Sequence, residues 1–319
     1  MSATCVRELH VSPVATVGEL LESGTLVAFN VGPDGAAYLV LALSELDYRE
    51  EQPGRASFAK IYPRKSQRYR VVALAGADRS LDLTTGEEKF NIHEIQPIGK
   101  EILLLCVRSA YRAQDDFDLN GRVYSQEGRF VRGMLLGDGV ETIQATASGE
   151  IWASYFDEGI FGNYGWKDPV GASGLVAWNA SGEEVYQFDA GQISDCYALN
   201  VASERDVWCY YYVDFPLIHL RERRVDGFWK TPIRGSRAFA VGGGHALLAG
   251  DYEDRRILHL LRLDPDIASL IADIRVVDGD KPVDFERIVG RGEFLYLLAS
   301  DRLYKIGIDE VCEIVEGKR

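Results

Sequence analysis

No apolar run in these 319 residues approaches the roughly 18 residues that a helix needs to cross a bilayer. The first eight residues lack a basic stretch followed by an apolar one, so the sequence reads as a chain that is not exported and stays in a cytoplasmic setting. Cysteine is sparse: Cys5, Cys106, Cys196, Cys209 and Cys312 are odd in number, widely scattered and never spaced as CxxC. That spacing argues against a disulfide framework or a thiolate metal site. Cys106 and Cys209 sit inside apolar runs, where a thiol behaves as a small buried hydrophobe. Clustered positive charge is also missing. Lys plus Arg total 35 against 49 Asp plus Glu, a net charge of −14, and the densest basic stretch, 221–224, is interrupted by Glu222. Such a surface repels phosphate backbones and anionic headgroups, so nucleic acid and membranes are poor partners. No G-x-S-x-G elbow, Walker loop, H-E-x-x-H or dinucleotide fingerprint occurs, and the glycine run 242–244 before His245 reads as a hairpin turn.

What is present is a globular composition, 46% hydrophobic and 26% charged, with 32 glycines, 11% aromatics and only two methionines. These proportions favour tight turns and aromatic-rich strands over a helical bundle. One phrase recurs along the chain: an apolar strand, a turn with Gly or charge, then a strand rich in Leu, Trp and Tyr. Its six copies pair 26–29 with 38–41, 92–95 with 102–105, 142–145 with 151–154, 197–199 with 207–210, 238–241 with 246–249, and 285–289 with 294–297. Turn anchors at 35, 99, 149, 204, 243 and 292 give steps of 64, 50, 55, 39 and 49 residues. A spacing of about 50 residues is the size of one four-stranded blade. Two copies continue into hairpins with four-residue turns, 121–132 with its turn at 125–128 and 174–188 with its turn at 179–182. A spare strand at 4–12 is predicted to complete the last copy, and the one helix expected is 17–22.

This pattern resembles the β-propeller superfamily over almost the whole chain. The Gly-His and Trp-Asp pairs of WD40 blades, the double glycine of Kelch repeats and the Ser-x-Asp-x-Gly-x-Thr-Trp box of sialidases are all missing, so no narrower family is indicated. The resemblance implies an all-β, WD40-like single domain over 1–319 with six blades, closed by the N-terminal strand, with room for a seventh blade in the long first step.

In that architecture the loops between second and third strands gather on one face. Here they are acidic, with Glu45, Asp47, Asp115, Asp251 and Asp301 among them. Loop 155–174 combines five glycines with five aromatics, a density that needs either neighbouring loops or a ligand to pack on. Asp157, Glu158, Phe161, Tyr164 and Trp166 are its candidate ligand-binding residues. His93 precedes an innermost strand and is a candidate channel residue with Asp195 and Arg237. Asp116, Asp118 and Asn120, followed by Gly121 and Glu127, satisfy the calcium-loop pattern. No helix flanks it and Glu127 falls in the opposite turn, so only a β-framed calcium site built from Asp116, Asp118 and Asn120 is expected.

Two functions follow. One is a non-enzymatic binding or protein-interaction propeller whose acidic, aromatic loop face takes a protein or small ligand that is cationic or has a basic surface. The other, by fold analogy, is a divalent-metal-dependent hydrolase or lactonase with carboxylate ligands at the channel mouth.

Overall fold

A computed structural model describes residues 6–50 and 58–318, and they fall into two compact units, Glu19–Ser194 and Met1–Gly18 with Asp195–Arg319. The fold is all-β with propeller-like sheets. The apolar pairs of the repeat are the first and second strands of antiparallel meanders, as the period-two patterning requires.

The central unit, 19–194, carries three four-stranded sheets. They run Thr25–Val31, Ala37–Ala42, Tyr69–Ala75, Asp78–Thr84; then Glu94–Ile98, Glu101–Leu105, Gly121–Tyr124, Phe130–Met134; then Val140–Ala145, Ile151–Tyr155, Leu175–Trp178, Glu184–Gln187. Burial grades across each sheet. Every residue of Ala37–Ala42 is buried, whereas the outermost strand Glu184–Gln187 exposes three of its four residues. A strand covered on both faces needs a continuous apolar run, and Ala-Tyr-Leu-Val-Leu-Ala supplies it. The long first step contains the two-stranded excursion Arg49–Glu50 with Phe58–Ala59, and among the described residues no further four-stranded sheet lies there. The two hairpins close alike: Ser125 N bonds Arg129 O and Asn179 N bonds Glu183 O, at 2.9 and 2.8 Å.

The terminal unit holds two more meanders, Asp195–Val201 through Arg224–Lys230 and Phe239–Gly242 through Ile267–Asp278. They join through a single parallel pair, Lys230 with Ile267, and with Val6–His10 and Lys281–Pro282 make one ten-stranded sheet. Its other sheet is Arg287–Arg291, Phe294–Ala299, Arg302–Gly307, completed by Ala15–Thr16. The predicted strand 4–12 is corrected here. Thr4 and Cys5 lie outside the described residues, and Val6–His10 pairs in parallel with 273–277 on the outer edge of Ile267–Asp278. The chain then turns past Pro13, which has no N–H to continue a ladder, and Ala15–Thr16 completes the last sheet against Leu303 and Arg302. The expected helix appears as Gly18–Leu21. Two others, Asp157–Phe161 and Ile308–Val315, were not expected; the second buries Ile308 and Val311 at helical spacing.

Within each unit the first strands are not laddered to one another, and buried amides join them instead. In the central unit Gln96 donates to Val31 O at 3.2 Å and accepts from Ala145 N at 3.1 Å, so one side chain of the second sheet ties the first and third. Asn30 adds bonds to Glu94 Oε2 and Ile143 O at 2.8 and 2.9 Å. In the terminal unit Asn200 donates to Phe239 O and Gly292 O and accepts from Gly292 N, at 2.8, 2.9 and 2.7 Å. A buried polar group left without a partner costs about 1–3 kcal/mol. Asn200→Leu strands Phe239 O and Gly292 N, while Gly292 O keeps its bond from Val241 N, and is expected to destabilise the chain by about 2 kcal/mol or more, whereas Asn179→Ala, in an exposed turn, is expected to cost under about 1.5 kcal/mol. Chemical denaturation of the two variants checks this; equal losses would contradict it.

Candidate functional site

Connections following the second strands carry most of the candidate side chains. In the central unit Arg108 leaves the strand Glu101–Leu105 and is buried to 3% exposure. Its guanidinium grips Asp138 with two bonds of 2.9 Å and also binds Glu158. The rings of Tyr164 and Phe156 lie 4.5 and 5.3 Å from its centre. Asp138 accepts a further bond from Ser109 N at 2.8 Å. Burial pushes the Asp138 carboxyl up to about 6, against the pull of Arg108. The helix Asp157–Phe161 seats on Gly139, which has φ +65° and whose missing Cβ would lie 2.2 Å from Gly159 N; no side chain fits there.

The aromatic loop packs on its neighbours. Trp166 is 9% exposed, donates from Nε1 to Ser109 O at 2.8 Å, and meets Tyr111 and Phe117 at ring distances of 5.0 and 6.0 Å. Tyr164 donates to Ala59 O at 3.0 Å, and its carbonyl accepts from Tyr111 N at 2.9 Å. Glu158, Tyr164 and Trp166 are therefore brought together around Arg108 and Ser109. Phe161 points away, at 64% exposure, and the exposed Asp157 accepts from Glu158 N at 2.8 Å.

Asp116, Asp118 and Asn120 are each engaged by protein groups. Arg112 stands between the two carboxylates, 2.8 Å from Asp116 and 3.1 Å from Asp118. Asp118 also accepts from Tyr62 Oη and from Ala110 N. Asn120 donates to Cys106 O and Gly137 O at 2.7 and 2.8 Å and accepts from Leu136 N at 3.0 Å. At the three residues of the expected calcium site, a guanidinium stands between the acids and Asn120 ties loop backbones. Among the described residues no group of three or more His, Cys, Asp or Glu is placed to hold a metal ion.

His93 sets its ring 5.0 Å from that of Tyr48. The residue beside it, Glu94, escaped the sequence reading. It accepts from Asn30 at 2.8 Å and Thr142 at 3.2 Å, and burial, with Glu141 adding to it, pushes its carboxyl up to about 8.

In the terminal unit Asp195 and Arg237 each lie near Tyr197. Arg237 lies 5.4 Å from the Tyr197 ring, and the two charges act on its hydroxyl with opposite sign. Burial, a 2.6 Å bond to the Tyr252 hydroxyl and Asp195 together raise the Tyr197 hydroxyl well above its ordinary range. Phe215 is buried beneath Tyr197 and Tyr252. Around them Tyr212, Val213 and Tyr252 are exposed by 44, 47 and 57%. The Tyr-rich stretch 210–212 and the Asp251-Tyr252 pair were the available sequence signals. Arg108 and Asp138 carried none beyond their charge.

The YxzG family matches residues 170–306, less than half of the chain. No curated protein matches the sequence. Among solved structures, a chain of the mitotic checkpoint complex superposes with a TM-score of 0.53 at 6% identity, over 96% of this chain and 94% of that one. The WD40 repeats of RRP9 give 0.48 at 10% identity over 88% and 94%. Virginiamycin B lyase from Staphylococcus aureus gives 0.48 at 10% identity over 92% and 97%. The similarity is to WD40 and other β-propeller proteins, and at these identities it is one of fold.

Two outcomes are expected for the central unit. Arg108→Ala leaves Asp138 buried without its counter-charge and should cost about 3–5 kcal/mol, read by denaturant melting. Glu94 has a folded value of about 8 against an ordinary 4.5, so its favourable contribution is complete below pH 4.5 and disappears as pH rises through 8. Glu94→Gln should therefore melt above wild type at pH 9 and level with it at pH 4.5; a difference independent of pH would contradict the assignment.

Proposed function

We propose that this chain is a non-enzymatic protein-interaction propeller, a single domain over residues 1–319 that works from the cytoplasm. Its six four-stranded meanders serve as six blades, the last completed by Ala15–Thr16. The loops after the second strands present its binding surface. The observation that carries this reading is the exposed group Tyr212, Val213 and Tyr252 near Phe215, with Tyr212 ending the strand Asp206–Tyr212, whose residues 209–211 are buried. Large exposed aromatics on a rigid frame are the residues from which interface hot spots are built. The central-unit loop supports the same reading in a different way: because Glu158, Tyr164 and Trp166 bind protein groups, that loop is a fixed rim, and Phe161 with Asp157 remains outward.

The net charge of −14 favours partners with basic surfaces, which long-range attraction steers toward an acidic protein. The test uses the full chain as bait beside a Tyr212→Ser/Tyr252→Ser double variant of matched melting temperature. A partner retained by wild type should be lost by about tenfold or more on the variant, as measured by quantitative mass spectrometry. Identical retention profiles would overturn the reading.

A further inference from the structure

In the first sheet of the central unit the connections 43–48 and 60–68 part beyond the paired strands Ala37–Ala42 and Tyr69–Ala75, and a cleft of about 660 Å³ opens between them. That volume is within the roughly 300–1,000 Å³ of small-molecule sites. Residues 44–47 form one wall and 63–67 the other. Both walls are held by hydrogen bonds. At one end Leu43 N bonds Arg68 O at 3.0 Å; at the other Arg64 N bonds Asp47 Oδ2 at 2.8 Å and Lys60 N bonds Tyr48 O at 2.9 Å. Two buried amides tie the walls together. Gln67, 2% exposed, donates to Glu45 O at 2.8 Å, and Asn91, fully buried, donates to Asp47 O and Lys60 O at 2.9 and 3.0 Å.

Residues 60–70 carry five cations and no acid in a chain of net charge −14. Neutral residues space them, and the fold divides them. Lys60 bonds Asp47 at 2.6 Å, Arg70 grips Asp82 with bonds of 2.9 and 2.7 Å, and Arg68 reaches Thr85 O at 3.4 Å. Arg64 and Lys65 stay at the cleft with exposed side chains, Arg64 lying 3.8 Å from an Asp47 whose charge Lys60 already offsets. Among the described residues Glu45, the other lining acid, pairs with no cation. Two cations therefore stand against one acid. Among the described residues the N–H groups of Ser44, Leu46, Lys65 and Ser66, and the hydroxyls of both serines, have no hydrogen-bond partner. Unused donors beside two cations suit a compact anion with several acceptor oxygens, and a phosphate monoester offers three oxygens and close to two charges. Overall charge separates a small ligand from a polymer. A polyanion meets the repulsion of the whole acidic chain, whereas one phosphoryl group in the cleft is within a Debye length, about 8 Å, of Arg64 and Lys65 and is screened from most acids beyond.

We infer that the cleft between connections 43–48 and 60–68 binds a small phosphate monoester, with Arg64 and Lys65 as counter-charges to its phosphoryl group and the serine hydroxyls and loop N–H groups as donors. The site belongs to the central unit and does not depend on the interaction reading above.

The experiment titrates the full chain, isotope-labelled on its backbone nitrogens, with glycerol phosphate, inorganic phosphate, acetate and glycerol. The N–H signals of Ser44, Leu46, Lys65 and Ser66 should shift with glycerol phosphate. Acetate and glycerol should bind at least about tenfold more weakly, and inorganic phosphate no more tightly than the monoester. Arg64→Gln/Lys65→Gln changes two exposed side chains, so it should keep the wild-type melting temperature and weaken the monoester by about tenfold or more. Glu45→Gln removes the opposing charge and should tighten it by about twofold or more. Arg129→Gln, at an exposed arginine of the hairpin 121–132, should leave binding unchanged. Equal binding of acetate, or shifts that miss these four N–H groups, would overturn the assignment. So would a double variant that binds like wild type, or a Glu45→Gln variant that binds no more tightly. Inorganic phosphate binding more tightly than the monoester would make this a site for the free ion and also overturn it.

Discussion

The first strand of each meander has one edge laddered to the second strand and another edge that no ladder completes. A backbone edge inside a protein must find donors and acceptors somewhere, and here side-chain amides provide them. Gln96 lies within one sheet and bonds both of its flanking sheets, while Asn200, in the first meander of its own unit, bonds Phe239 of the second and Gly292 of the last sheet. An amide suits the task because it offers acceptor and donor on one short, neutral group, so burial carries no charge to desolvate. Everything outward of these pins follows from ordinary sheet chemistry: apolar second and third strands that pack on both faces, and solvated outer strands.

With the strands held, the loops at their ends inherit fixed positions and divide into two kinds. The central-unit connections turn inward on their own charges. Arg108 draws Asp138 and Glu158 together beneath two aromatic rings, and Arg112 does the same for Asp116 and Asp118. These are rims whose polar groups are satisfied. The terminal-unit connections leave Tyr212, Val213 and Tyr252 exposed. Asp214 and Phe215 accept left-handed backbone angles, φ +65° and +51°, in the tight turn that sets Phe215 under Tyr197 and Tyr252. Strain of that kind persists where surrounding packing over-determines it.

The strands and hairpins were legible because their signal is local: alternation, apolar runs and turn residues lie within a dozen positions of each other. The parallel strand Val6–His10 was misassigned because its partner is more than 260 residues away and only Leu9 among its five side chains is buried, so no pattern announces the pairing. The helix Ile308–Val315 was missed because eight mixed residues after a run of strands fit either period. In the loops, sequence identified the aromatic segment 155–174 but not what it packs against, since Ser109 and Tyr111 lie on the connection after a different sheet's strand, Glu101–Leu105. The calcium pattern is legible in spacing, but the sequence does not show that Arg112 and loop backbones bond the same residues. Even Asn200 left a trace, as an amide between Leu199 and Val201 in an otherwise apolar strand.

Amide hydrogen exchange at Gly292 tests the pinning most directly. This residue sits in a turn and is only partly buried, so without the bond to Asn200 Oδ1 its N–H would exchange like that of any loop. If the inner strands are held by the buried amide, Gly292 exchanges as slowly as core amides such as that of Leu247, through opening of the whole unit. Exchange at the rate of neighbouring turn residues would show that the pin does not hold.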